Sequence, residues 1–260
     1  MKNKNVIGNS YSKMMKGDKG MRSKMHGIST LLLLLSLMAG CREQVQPATL
    51  IPEVPQENSP LIDGSFSPGE WDAAREESFK GGSQLFLLTD SKYLYLGIRS
   101  SFAGLIMGNI FLQRGDTISV LHTSGALGTA IYQKGTEDWR LIQDFTWQCR
   151  DTSNSQTIPV ECKAFLDQEG WLGSMSYMGN PEELEYQIEL TAEPMHILVV
   201  FENLEYAGLK FIWPDQVGIN SGELTHGYSP ATLYFSPEEW AEITVNRDGE
   251  VELSVPTPQE

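Results

Sequence analysis

Residues 61–98 read LIDGSFSPGEWDAAREESFKGGSQLFLLTDSKYLYLGI, and this stretch decides the fold class. Ile62-Asp63-Gly64 is an apolar residue followed by a turn pair; the glycine takes a positive φ without steric cost, and the aspartate can bond its own backbone. Ser67-Pro68-Gly69-Glu70 has the chemistry of a capping box. The Ser67 hydroxyl can accept a backbone N–H, Pro68 suits the first helical position, and Glu70 can reach back. A short helix is therefore expected from Pro68, with Trp71 and Ala74 on one apolar face. Gln84–Thr89 is apolar enough for a buried strand, and Asp90-Ser91-Lys92 is a tight turn. Tyr93–Arg99 alternates, with Leu94, Leu96 and Ile98 on one face and Tyr93, Tyr95, Gly97 and Arg99 on the other. The two runs read as a hairpin whose second strand is half buried.

Downstream, strand-like runs recur at Leu105–Arg114, Thr117–Leu121, Ala126–Gln133, Trp139–Gln148, Trp171–Tyr177, Leu184–Leu190, His196–Phe201 and Ala231–Phe235. Glu242–Val245 and Val251–Val255 make a closing hairpin around Asn246-Arg247-Asp248-Gly249, and Ser236-Pro237-Glu238-Glu239 repeats the capping chemistry ahead of Trp240. Residues 203–227 are Gly-rich and irregular. Short strands at regular spacing with turn signals predict an all-β fold, an antiparallel, jelly-roll-like β-sandwich with one or two short capped helices.

The opening stretch resembles the amino-terminal part of family 9 carbohydrate-binding modules and the wider DOMON-like group. The matching residues are the Ile62-Asp63-Gly64 turn, Trp71, the Asp90 turn and Tyr93-Leu94-Tyr95-Leu96, with a second match at Glu185–Leu190, where Glu189 stands in place of the usual Pro. The resemblance implies a β-sandwich, with Asp63, Gly64 and Trp71 as fold-defining residues. It does not imply one ligand, since fold and function are separable. In such modules calcium is a common structural ion. Asp63 or Asp90 could ligate it here, although no calcium-loop pattern is present; no other cofactor is expected.

Residues 1–40 do not belong to the fold. Basic residues including Arg22 and Lys24 precede a Leu run at residues 31–35, and small residues follow. That is the layout of a secretory signal, and an apolar run of about ten residues is too short to span a bilayer, which takes about twenty. Leu37-Met38-Ala39-Gly40-Cys41 looks like a bacterial lipobox, which implies that Cys41 becomes the lipid-bearing N-terminus. The expected location is the cell envelope, and the outer membrane in a Gram-negative cell, because Arg42 is not the Asp that marks inner-membrane retention. Residues 41–60, with Pro47, Pro52, Pro55 and Pro60, read as an extended tether. Residues 61–260 then form one domain of 200 residues.

Without the leader the chain keeps 12 basic and 33 acidic residues, a net charge of −21. Such a surface repels phosphate backbones and anionic headgroups, which argues against nucleic acid as a partner and against membrane contact other than through the anchor. Cys149 and Cys162 flank the polar segment RDTSNSQTIPVE. In an exported chain they are expected to form a disulfide stapling a long hairpin.

The aromatic residues carry the ligand expectation. Sugar rings stack their C–H faces on Trp and Tyr, and adjacent polar groups bind the hydroxyls. Trp139 and Trp147 fall on one face of a strand and Trp171 follows the cysteine pair; with Arg150 and Gln143 they are the candidate glycan platform, and core filling is the alternative. Catalytic signals are weak. His122-Thr123-Ser124-Gly125 lacks the Gly-x-Ser-x-Gly turn, and no carboxylate pair can be selected from spacing alone. The sequence therefore points to non-catalytic binding of an oligo- or polysaccharide. A structural or protein-interaction lipoprotein, and a haem carrier with an axial His or Met, are the alternatives.

Overall fold

The computed structural model describes residues 47–148, 160–176, 182–205, 209–215 and 229–257. Cys41, Cys149 and Arg150 lie outside them, and with them the lipid attachment and the Cys149–Cys162 pairing. The described strands are β1 (Thr49–Leu50), β2 (Arg75–Ser78), β3 (Gln84–Thr89), β4 (Tyr93–Arg99), β5 (Ile106–Arg114), β6 (Thr117–Thr123), β7 (Leu127–Lys134) and β8 (Trp139–Gln148). Helix α1 (Val160–Glu169) comes next. It is followed by β9 (Trp171–Met175), β10 (Glu183–Glu189), β11 (Met195–Asn203), β12 (Leu209–Trp213), β13 (Thr232–Leu233), β14 (Ala241–Val245) and β15 (Val251–Ser254).

They form an all-β sandwich of two sheets. The larger runs β1-β15-β14-β11-β5-β6-β7-β8-β13, with β12 also paired to β11; the smaller runs β2-β3-β4-β10-β9. Every ladder is antiparallel. The inner faces meet through Leu85, Leu87, Leu94, Leu96 and Ile98 from one sheet and Ile110, Leu112, Ile197 and Val199 from the other, all buried. On the outer face of the large sheet Phe111, Val120, Tyr132, Trp139, Leu198 and Trp240 make a second core. The strap around residues 230–240 covers it, with the Tyr132 hydroxyl donating to the Pro230 carbonyl at 3.0 Å.

Four expectations are corrected. The capping box at Ser67 does not start a helix: residues 68–73 are turns. Glu70 does reach back to the Ser67 N–H at 2.8 Å, but its other oxygen takes the Leu61 N–H at 2.7 Å, which closes a loop instead of a helical turn. Among the described residues the α-helix is α1, which ends at Gly170 (φ 72), whose N–H donates to the Leu166 carbonyl; the described helical turns at Gln56–Asn58 and Pro237–Glu239 are 3-10 and have no side-chain cap. Next, β4 is buried on both faces up to Ile98. The loop 61–74 folds over it, and a Cβ on Gly97 would sit 2.6 Å from the Phe66 ring and 3.0 Å from that of Trp71. The tether is also shorter than expected, since Thr49–Leu50 pairs with β15 and Ile51 is buried. Last, residues 203–227 are not wholly irregular, because Leu209–Trp213 forms β12.

Candidate functional site

Strand β8 does not keep the strict alternation that its sequence suggests. Its ladder with β7 pairs Gly128 with Trp147, Thr129 with Thr146, Ile131 with Gln143, Tyr132 with Leu141 and Lys134 with Trp139. The register shifts on either side of Ile131, so β8 holds an extra residue at each place. A one-residue bulge reverses the face of whatever follows it. Two of them turn Gln143 to the inner face and return Trp147 to the outer face that holds Trp139.

The three tryptophans expected to form a platform are therefore separated. Trp139 lies under the strap, 5% exposed, with its indole N–H donating to the Phe235 carbonyl at 3.2 Å. Trp171, on β9, is 1% exposed; its ring packs edge-on against Phe165 of α1 and parallel to Tyr186. Trp147 alone of the three reaches solvent, at 39% exposure. It stacks on Phe145 with centroids 5.1 Å apart and meets the edge of His122 at 5.2 Å. His122 itself is buried, with Nδ1 2.7 Å from the Asn109 side-chain oxygen. Core filling, the alternative, is what the geometry shows for Trp139 and Trp171.

On the inner side of β8 lies a cleft of about 380 Å³ lined by Thr129, Gln143, Thr146, Gln168 and Glu169. Strands β7 and β8 supply the first three, and the last turn of α1 supplies Gln168 and Glu169. Helix α1 is held in place by Phe165, which packs on Trp171. The Trp171 indole N–H donates to the Thr129 hydroxyl at 2.9 Å. A hydroxyl that accepts at its oxygen keeps its own hydrogen for another partner, so the Thr129 hydroxyl, which Trp171 holds from beneath, retains a donor at the cleft lining. The lining offers two primary amides, two hydroxyls and one carboxylate, a mixture of donors and acceptors with a single formal charge.

Of the expected site residues among those described, only Gln143 lines this cleft. Thr129, Thr146, Gln168 and Glu169 were not singled out in the sequence. Pro159 followed ten residues later by Glu169-Gly170 was the available signal for a helix there.

A second polar cluster holds the amino-terminal loop. Glu185 of β10, fully buried, accepts the N–H groups of Asp63 at 3.1 Å and Gly64 at 2.8 Å and the indole N–H of Trp71 at 3.2 Å. Burial pushes its carboxyl up to about 8, against the Gly64 hydrogen bond and with repulsion from Glu70. Its neighbour Glu183 takes the Phe66 N–H and pairs with Arg99 at 2.9 Å. Asp90, a candidate calcium ligand, is occupied by protein donors: the Lys92 and Tyr93 N–H groups on one oxygen, the Ser59 and Tyr95 hydroxyls on the other. Although burial works the other way, these bonds hold the Asp90 carboxyl below its ordinary value. The Asp63 carboxylate accepts the Ser65 N–H in a local turn. Among the described residues no group of three or more His, Cys, Asp or Glu is placed to hold a metal ion.

No protein-family model matches the chain, and a search of curated proteins returns no match. Solved structures do match. One is a family 9 carbohydrate-binding module from Caldicellulosiruptor kristjanssonii in complex with cellotriose, 12% identical, with a TM-score of 0.35 over 63% of this chain and 82% of that one. Another is a family 9 module from the same organism in complex with glucose, 13% identical, with a TM-score of 0.34 over 59% of this chain and 80% of that one.

Proposed function

We propose that this protein is a non-catalytic, lipid-anchored cell-envelope module that binds a neutral oligo- or polysaccharide in the cleft between β7–β8 and α1. The cleft lining carries this reading: amides and hydroxyls from three elements converge on one space of about 380 Å³, within the range of small-ligand sites. Uncharged polyols present alternating donors and acceptors, which Gln and Thr side chains match in either direction. The one carboxylate, Glu169, suits a vicinal diol and opposes an anionic ligand. Trp171 takes part from below, as the residue that sets Thr129.

Lipid anchoring at Cys41, and with it a location in the cell envelope, on the outer membrane of a Gram-negative cell, is the part of the proposal that rests on the lipobox sequence. A second reading, a scaffold or interaction lipoprotein without a small ligand, is favoured by the burial of Trp139 and Trp171, which leaves one of the three expected stacking residues exposed.

Isothermal titration of the mature chain with cello-, xylo-, malto- and mixed-linkage oligosaccharides separates the two. Binding to one class, weakened at least tenfold in Gln143→Ala and in Glu169→Ala, supports the cleft. No heat with any of them supports the scaffold.

A further inference from the structure

From Thr49 onward the segment expected to be a tether is built into the sandwich. Thr49 lies opposite Leu253 and Leu50 opposite Glu252 in the β1–β15 ladder. The Ile51 N–H donates to the Val251 carbonyl at 2.8 Å, and the Ile51 side chain is buried. The Val54 N–H donates to the Thr89 carbonyl at 2.8 Å, the Thr89 N–H to the Pro52 carbonyl at 2.9 Å, and the Ser59 hydroxyl to Asp90 at 3.0 Å. Residues 49–59 are thus sewn to an edge of the large sheet and to β3 of the small one. Eight Cα–Cα steps separate Cys41 from Thr49, and they span at most about 28 Å.

Strand order then places the two ends of the large sheet in opposite roles. β1 is one terminal strand, and β8 is seven strand steps away along the order β1-β15-β14-β11-β5-β6-β7-β8. At about 4.8 Å per step that is about 34 Å. The cleft and Trp147 belong to the β7–β8 end. Leu50, 52% exposed, marks the β1 end with an apolar side chain. Eight steps of chain from Cys41 hold this edge within about 28 Å of the lipid attachment, whereas the β7–β8 end lies about 34 Å further along the sheet.

We propose that the β1–β15 edge is the membrane-facing edge of the anchored domain, with a lipid bilayer as the surface it meets, and that the β7–β8 cleft opens toward the aqueous side. The proposal rests on lipid attachment at Cys41. It adds to the reading above the direction from which a glycan arrives.

The test uses the lipidated full chain, purified from membranes, with a fluorescent non-natural residue in place of Leu50 or, separately, of Ile142 on β8. Each protein is reconstituted into phosphatidylcholine–phosphatidylglycerol vesicles that carry a quencher on the headgroup. Flotation comes first: a chain that stays with the vesicles, and whose Cys41 peptide carries acyl mass, keeps the premise. The expected result is then quenching several-fold stronger at position 50 than at position 142. Equal quenching, or stronger quenching at 142, overturns the orientation and leaves the anchor standing. A chain that does not float overturns both.

Discussion

The Trp71 indole N–H donates to the Glu185 carboxylate at 3.2 Å, and 114 positions of sequence separate the two residues. Glu185 also takes the N–H groups of Asp63 and Gly64, so one buried carboxyl gathers the whole amino-terminal loop onto the outer face of the small sheet. Glu185→Ala leaves those donors buried without an acceptor and should cost about 3 kcal/mol. Trp71→Phe removes a single hydrogen bond and little volume, and should cost about 1–2 kcal/mol. Urea denaturation of both variants checks the order; a larger loss from Trp71→Phe would mean that stacking on Phe66, not the carboxyl, holds the loop.

The same carboxyl should make stability depend on pH in an unusual direction. Its folded value, about 8, lies above the ordinary 4.5. Below 4.5 both folded and unfolded chains carry the proton. As pH rises from 4.5 toward 8 the unfolded chain releases it first, so the contribution of Glu185 to stability falls; above 8 it falls no further. Thermal melts at pH 5 and pH 8 should therefore show a smaller drop for Glu185→Gln than for the wild type. An identical drop would place the titration elsewhere.

Gly64 is the tight point of the loop. Its φ is +90°, and a Cβ there would run into the Met175 backbone carbonyl. Gly64→Ala combines an unfavourable conformation with a backbone clash and should cost at least about 2 kcal/mol. Gly69 also has a positive φ, of +86, but open space around it, so Gly69→Ala should cost about 1 kcal/mol. Denaturation midpoints of the pair separate clash from conformation.

All six tryptophans are described, and five of them are 6% exposed or less, against 39% for Trp147. Acrylamide should quench a minor part of the native fluorescence, and Trp147→Phe should remove that part with a stability change of about 1 kcal/mol or less. Trp171→Ala should instead cost about 3–5 kcal/mol. Quenching that persists unchanged in Trp147→Phe would contradict the exposed position of this ring.

The docked amino-terminal segment makes a separate claim. A chain beginning at Leu61 loses the β1–β15 ladder, the burial of Ile51 and the Ser59–Asp90 hydrogen bond. It should melt several degrees below a chain beginning at residue 47. Equal melting temperatures would restore the picture of a free tether.

Local chemistry was enough for the class of fold. Alternation in Tyr93–Arg99, the turn pair at Asp63-Gly64 and the hairpin turn at Asn246–Gly249 each act within a few residues, so strands, turns and an antiparallel sandwich could be read directly from the chain. Distant partners decided the rest. Trp139 is buried because a strap 96 positions further along covers it, and Trp171 because the preceding helix turns Phe165 onto it while Tyr186 of β10 packs on its ring; an aromatic side chain looks the same in sequence whether it is covered or not. Gln143 turned inward because two bulges in β8 were set by its pairing with β7, which alternation within β8 cannot reveal. The cleft joins positions 129, 143, 146, 168 and 169 across three elements. Glu185 stands in the sequence as the first residue of a strand motif; its part as the acceptor of the loop comes from Gly64 and Trp71, 121 and 114 positions away. Hydrogen-bond donors and covering side chains that arrive from far along the chain leave no periodic trace near the residue they control.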